Sequence, residues 1–322
     1  MPRWTCEILF SSEPEVSSEL LSSIVNSTPQ DARIVFGSCE EMTESAPDLV
    51  GKVALVITSP PYHNAIDYES HAQDSTLNYR TRTDLNYAND YLPMLSAVWA
   101  QSWEMLRPGG YLIINAGTVL DNGFHLPLPQ DMIASEVGDP KKWEFIRTVV
   151  WFKVTAGVKR AGSVIQHPLP DYWSYNIMTE HIQVLRKPGG APVANKCVPS
   201  EWWQPVWDIA PVPPGQVDHP APFPEDIPHR FIRMLTNEGD WVLDPFNGSG
   251  TTTKAAHDLQ RCGIGFDISQ KYIDIAQKRL SSNSLVRSNQ LQVVPVHSND
   301  FTPGRSRGQT RHGAGFASRG AK

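Results

Sequence analysis

The residues best suited to chemistry fall in two short stretches far apart in the chain. The first is Thr58-Ser59-Pro60-Pro61-Tyr62, directly after the apolar run Val53–Ile57. Paired prolines cannot continue a sheet ladder, so they end a strand and stiffen the segment after it. Rigidity of that kind presents the Ser59 hydroxyl and the Pro60 carbonyl as fixed hydrogen-bond acceptors and Tyr62 as a stacking face. Pro-Pro-Tyr alone is common in loops and peptide ligands; its position behind a buried strand gives it weight. The second stretch is Asp244-Pro245-Phe246-Asn247-Gly248-Ser249-Gly250-Thr251-Thr252, which comes after Val242-Leu243. Its glycines allow a sharp turn and a close approach of backbone to a ligand. A strand, this loop and a helix in succession put the loop where doubly wound sheets bind nucleotide-like molecules.

Asp267 ends the run Gly263-Ile264-Gly265-Phe266-Asp267, 23 residues after Asp244. That is close to the interval at which an acidic side chain grips ribose hydroxyls. A tight strand–helix corner would use similar glycines. A phosphate loop does not fit, because Lys254 comes after threonines and no Gly-Lys-Ser/Thr occurs. With Asp244 leading the loop, a cationic ligand suits the site better than a polyphosphate. S-adenosylmethionine carries an ammonium, a sulfonium and a ribose.

These stretches need elements to position them. Strands are expected at Arg33–Phe36, Val53–Thr58, Tyr111–Asn115, Arg147–Lys153, His181–Lys187, 241–244 and 262–267. The central Val53–Thr58 is wholly apolar, as in a parallel sheet covered on both faces. Helical spacing of apolar residues appears over 13–25 and 91–106, and helices are expected around 226–236, 251–260 and 270–280. Arg107-Pro108-Gly109-Gly110 is expected to stop the second helix and turn the chain. Long connections cover 63–90 and 116–143. Segments 154–180 and 188–225 break the α/β rhythm, the latter being dense in proline; together they hold Trp173, Trp202, Trp203 and Trp207.

A chain of 322 residues with a 40% hydrophobic share can bury the core of one large α/β domain with insertions. Its net charge of -6 argues against a broadly basic surface but leaves room for a local basic cleft. Cys6, Cys39, Cys197 and Cys262 form no CxxC pair and read as reduced thiols of a cytosolic protein. The histidines have no metal-ligand spacing. No apolar run approaches the ~20 residues of a membrane span, and no signal peptide is visible at the start. The tail from about 303 holds five basic residues and no acidic ones; it is expected to be a solvated tail, with DNA tethering as a second reading.

Asp244–Thr252 resembles the cofactor loop of amino-methylating DNA methyltransferases. Ser59-Pro60-Pro61-Tyr62 resembles their catalytic motif, in the form associated with N4-cytosine enzymes. Arg107-Pro108-Gly109-Gly110 before a strand, and His219-Pro220-Ala221-Pro222-Phe223-Pro224 before a helix, match further motifs. The order, catalytic motif first and cofactor loop last, is the permuted beta arrangement of restriction-modification methyltransferases. The resemblance spans roughly 31–282. It departs at Phe36-Gly37-Ser38-Cys39, where many relatives carry an acidic or amide residue in place of Ser38.

The resemblance implies an α/β fold: a doubly wound, permuted Rossmann-like class I methyltransferase sheet with a small target-recognition region. It divides the chain into a helical extension (1–30), a catalytic half (31–153), target-recognition insertions flanking a strand at 181–187 (154–218), a cofactor-binding half (219–282) and a C-terminal extension (283–322). It implies S-adenosylmethionine bound by Asp244, Pro245, Phe246, Asn247, Gly248, Ser249, Gly250, Thr251 and Asp267, with Phe223, Ser38 and Thr58 beside them. Double-stranded DNA is the implied substrate, paired functionally with a cognate restriction endonuclease in a bacterial or archaeal cytoplasm. Dimers are common in this permuted order, so a homodimer is one expected assembly. Ser59, Pro60, Pro61 and Tyr62 would perform N4-cytosine methylation on a flipped-out base, with Tyr62 stacking on it.

Reading DNA needs a positive groove and a segment that meets flanking bases. The expected contacts are His63, Arg80, Arg82, Lys153, Lys159, Arg160 and His167, with Arg186 and Lys187 also plausible. The Trp and Pro residues of the insertions would build a small hydrophobic subdomain beneath these basic side chains. Methylation at cytosine C5 would need a thiolate after proline, and no Pro-Cys occurs. The rival readings are adenine N6 methylation on the same fold, RNA or protein-amide methylation, and an inactive DNA-binding module. RNA and protein-amide enzymes generally place the cofactor loop first, and an inactive module need not keep Ser59, Tyr62, Asp244 and Asp267.

Overall fold

The computed structural model describes residues 31–63, 86–121, 124–138, 142–153, 178–213, 223–281 and 291–295. The expected helix over 13–25, most of the 63–90 connection and the basic tail lie outside the described residues.

Eleven strands are described: β1 (Ala32–Phe36), β2 (Val53–Thr58), β3 (Leu106–Ala116), β4 (Val119–Asp121), β5 (Phe124–Leu126), β6 (Glu144–Phe152), β7 (Thr179–Arg186), β8 (Val206–Asp208), β9 (Trp241–Asp244), β10 (Cys262–Asp267) and β11 (Leu291–Pro295). The helices are α1 (Met42–Ser45), α2 (Leu92–Met105), α3 (Leu128–Ala134), α4 (Asp226–Leu235), α5 (Thr251–Asp258) and α6 (Gln270–Ser281). Nine strands form one sheet in the order β11-β1-β10-β9-β2-β3-β7-β6-β8, and β4 and β5 form a separate hairpin. Neighbours in the large sheet are parallel except at β7, which runs against both β3 and β6.

Every residue of β2 is buried, and its side chains alternate between two cores. Val53 and Val56 face a core completed by Leu95, Val98 and Trp99 of α2. Leu55 and Ile57 face a second, completed by Ile227 and Phe231 of α4 and Ala255 of α5. Helices therefore cover both faces, which is why the strand carries no polar alternation. Burying each such side chain contributes about 1.5–3 kcal/mol. From β2 the chain steps to β3 on one side; from β9 it steps to β10 on the other. That reversal opens a crevice at the carboxyl ends of β2 and β9, the usual ligand site of such sheets.

Several expectations are corrected. Arg107–Gly110 does not turn the chain out of the sheet. It bulges inside β3, where Val53 pairs with Leu106 but Leu55 already pairs with Tyr111. Gly109 takes φ +80°, and the bulge bonds to Lys187, with Gly109 N–H donating to the Lys187 carbonyl at 3.0 Å. The C-terminus of α2 is capped by the Lys187 ammonium, which donates to the carbonyls of Trp103 and Leu106 at 2.6 and 2.8 Å. The 116–143 connection contains the β4–β5 hairpin and α3. Two short strands were not expected: β8, inside the proline-rich segment, extends the sheet beside β6, and β11, inside the C-terminal extension, pairs with β1.

Candidate active site

Asp244 ends β9 and Thr58 ends β2, and burial leaves each no solvent. The Thr58 hydroxyl donates to the Asp244 carboxylate at 2.6 Å, joining residues 186 apart in sequence. Asp244 also accepts from the Phe246 N–H at 3.1 Å, which folds the chain back into the glycine loop. Burial raises the Asp244 carboxyl to about 6, against hydrogen bonds from Thr58, Thr252 and Phe246 that favour its charge. Asp267, at the end of β10, is likewise raised to about 6 by burial, although it accepts the N–H of Ser269 and of Gly248, each at 2.8 Å.

The loop between them is tightly set. Gly248 and Gly250 take φ +48° and +81°, conformations that side chains resist. Gly265 of β10 has no room for a side chain, because one would overlap Asn247. Asn247 accepts from the Thr253 hydroxyl at 3.0 Å. Pro245, Gly248, Ser249 and Thr251 are buried, and Phe246 packs half-exposed against the first core. Both carboxyls release their protons above about pH 6, so two negative charges stand at the crevice near neutral pH. The residues present therefore fit a cationic ligand that also offers hydroxyls, and fit a polyphosphate poorly.

Ser38 lies at this edge too, next to Gly37, whose N–H donates to the Asp267 carbonyl at 3.0 Å. Its hydroxyl accepts from Glu40 N–H at 3.2 Å and caps a short turn. Cys39 comes next, its thiol pushed up to about 12 by burial and by Glu40, Asp267 and Asp244, which makes it a poor nucleophile. Phe223 packs against the second core just before α4.

Ser59 is half-buried at the mouth of the crevice, and Pro60 is buried. The Pro61 carbonyl accepts from the Tyr91 hydroxyl at 2.7 Å, a clamp from the turn that opens α2. Tyr62 rests on the backbone of Gly117 just beyond β3, where a side chain would come 3.5 Å from its ring. Behind Gly117 stands a buried polar group: Asn115 donates to Glu180 at 2.6 Å, and Lys153 donates to the other Glu180 oxygen. Neither Tyr91 nor Glu180 stands out in the sequence, because their partners are 30 and 65 residues away from them.

Four of the expected DNA contacts have partners within the fold. His63 is 3% exposed and packs on the rings of Tyr87 and Tyr91 at 5.2 and 5.3 Å, and burial lowers its pKa. Lys153 does lie at the crevice edge, but its charge is matched by Glu180 and it covers the Trp151 ring. Arg186 pairs with Glu144 at 2.7 Å and Lys187 caps α2. Because β7 runs backwards, both sit at the end of the sheet away from the crevice. Arg80, Arg82, Lys159, Arg160 and His167 lie outside the described residues. Among the described residues no helix is long and apolar enough to cross a membrane.

The family model for DNA methylases of the N6/N4 type matches residues 53–278. The Type II methyltransferase M.MjaI of Methanocaldococcus jannaschii is 27% identical over 286 residues, which cover 77% of this chain and 90% of that protein. A candidate DNA modification methylase of Thermus thermophilus, solved with S-adenosyl-L-methionine, is 27% identical with a TM-score of 0.57 over 81% of this chain and 99% of that one. The cytosine-N4-specific PvuII DNA methyltransferase shares the fold at 19% identity and a TM-score of 0.59, covering 80% of this chain and 89% of that one. The match runs from the strand that carries Thr58 to the helix after Asp267, and the chain belongs to the DNA methylase family, whose methyl donor is S-adenosylmethionine.

Proposed function

We propose that this DNA methylase acts on the exocyclic N4 of a cytosine flipped out of double-stranded DNA, and that it protects the site from a cognate restriction endonuclease. One observation carries the reading: the 2.6 Å bond between Thr58 and Asp244 sets a Ser-Pro-Pro-Tyr segment directly against the glycine loop. Serine at position 59 favours cytosine, being the form of the motif associated with N4 enzymes. The Type II relatives motivate the pairing with an endonuclease.

In this reading Asp267 takes the ribose hydroxyls, and Asp244 with residues 245–251 lines the rest of the donor site. Phe223, Ser38 and Thr58 border it. When bound, S-adenosylmethionine supplies an electrophilic sulfonium methyl group. The chain's own task is to make the amino nitrogen reactive. That nitrogen is a poor nucleophile because its lone pair is delocalised into the ring. The Ser59 hydroxyl oxygen and the Pro60 carbonyl accept hydrogen bonds from its two N–H groups and draw it toward a tetrahedral shape. Fixed acceptors cost little reorganisation at the moment of reaction, which is where positioning accelerates it. Tyr62 stacks on the base, backed by Gly117, while Tyr91 holds the Pro61 carbonyl. The insertions at 154–218 meet the flanking bases.

Methylated DNA digested to nucleosides and resolved by mass spectrometry tests the target atom. N4-methylcytosine is the expected product. N6-methyladenine alone would overturn the cytosine assignment and leave the same fold acting on adenine.

A further inference from the structure

The glycine loop has no cap of its own. Gly250 is the N-cap residue of α5, and it lacks a side chain to bond the first turn. Instead three successive loop residues are held by α6 and the turn before it. Gly248 N–H donates to Asp267, which precedes α6, at 2.8 Å. Gly250 lies so close to Ala276 of α6 that a side-chain carbon there would fall 2.8 Å from the alanine methyl. One helical turn further on, the Arg279 guanidinium donates to the Ser249 carbonyl at 2.7 Å, to the Ser249 hydroxyl at 3.0 Å and to the Thr251 hydroxyl at 3.2 Å. Ser249 and Thr251 are buried, so no solvent can replace these bonds. The other arm of Arg279 reaches Glu225 at 2.7 Å, two residues after Phe223, and Glu225 also pairs with Lys254 of α5 at 3.1 Å.

We infer that Arg279 is a positioning residue for methyl-donor binding: it holds Ser249 and Thr251 in the geometry that receives S-adenosylmethionine, and through Glu225 ties the Phe223 segment to the same loop. This rests on the assignment of 244–251 as the donor loop. The planar fork of arginine is what serves three acceptors and a carboxylate at once; lysine offers a point charge that cannot span them. Arg279 itself need not touch the donor.

The test uses the full chain, with Arg279→Met, Arg279→Lys and Asp267→Asn variants. S-adenosylmethionine affinity is measured by calorimetry, and turnover on unmethylated genomic DNA is measured at varied donor. Arg279→Met is expected to raise the Kd and KM for S-adenosylmethionine about ten- to a hundredfold, the loss of charge-assisted bonds to buried acceptors. Its kcat at saturating donor and its DNA affinity without donor should stay near wild type. Arg279→Lys should recover part of the loss, and it decides the matter if the Met variant fails to fold. Donor affinity unchanged in the folded Arg279 variants, whatever their melting temperature, would overturn the inference and leave Arg279 a structural tie. An unchanged donor affinity in Asp267→Asn would instead overturn the donor-loop assignment. Weakened binding in that variant, with unaltered Arg279 variants, would overturn only the positioning role.

Discussion

At the scale of single residues the proposed site divides between groups assigned to hold the donor and groups assigned to activate the target, and the two should separate on mutation. Ser59→Ala removes one acceptor from the amino group and leaves Thr58, Asp244 and Asp267 in place. Turnover should fall by about 10²-fold or more, as for loss of a preorganised hydrogen-bond partner, with donor affinity measured by calorimetry unchanged. An equal loss of donor affinity would mean that Ser59 supports the donor pocket instead. If the two carboxyls raised to about 6 meet the donor as proposed, its binding should depend on pH. A cationic ligand favours their ionised forms, so affinity should rise as pH climbs from 5 through 6 and level off above 7. Stability without donor should move the other way. Between about 3.8 and 6 the folded state holds protons that the unfolded chain has released, so the contribution of these groups falls as pH rises through that window. Calorimetry at pH 5, 6 and 7.5, with melting curves at the same values, reads both slopes. A donor affinity flat with pH would show that neither carboxyl titrates against the donor.

At the scale of elements, the glycine loop is shaped by β10 and α6 more than by itself. Gly265→Ala puts a methyl group into the Asn247 side chain, which cannot retreat without losing its bond from Thr253. Overpacking of this kind costs about 1–3 kcal/mol, read as a lower urea midpoint, and donor binding should weaken with it because Asn247 is displaced. Wild-type stability and affinity in this variant would mean that the loop shifts freely. Helix α2 shows the same dependence on a distant element. Its first turn is extended by a π-helical turn at Tyr87–Tyr91, which supplies both the hydroxyl that clamps Pro61 and the rings that bury His63. Its last turn is closed by Lys187, the residue after β7.

At the scale of the whole molecule, the proposed donor site forms only when parts 186 residues apart are brought together, as the Thr58–Asp244 bond records. A ligand that binds only the folded chain stabilises all of it. S-adenosylmethionine at a hundred times its Kd should add about 2.7 kcal/mol. For a chain of this length that raises the melting temperature by a few degrees, measurable by differential scanning fluorimetry. No shift would mean that the donor does not bind the folded chain in preference to the unfolded one. The net charge of -6 also has a consequence at this scale. Phosphate contacts must come from a local cluster, and among the described cations near the crevice Lys153 and Arg279 are already paired with Glu180 and Glu225.

Most of the framework was legible in the amino-acid sequence. The apolar run 53–58, the Pro-Pro break after it, and the alternation of strand, glycine loop and helix from 241 to 281 are local signals. Each arises from the options a few consecutive residues have with their backbone and with water. Those signals sufficed for the doubly wound sheet and for the two motifs that meet at its switch point. Other features depended on residues distant in sequence. The bulge at Arg107–Gly110 needs the Lys187 backbone, and β8 and β11 are strands because a sheet edge was free to take them. His63, Lys153, Arg186 and Lys187 looked like DNA contacts by charge or ring chemistry alone. Burial, Glu180, Glu144 and the reversed direction of β7 gave them other partners. A residue's type fixes which bonds it can form; which bonds it does form depends on neighbours that only tertiary folding supplies.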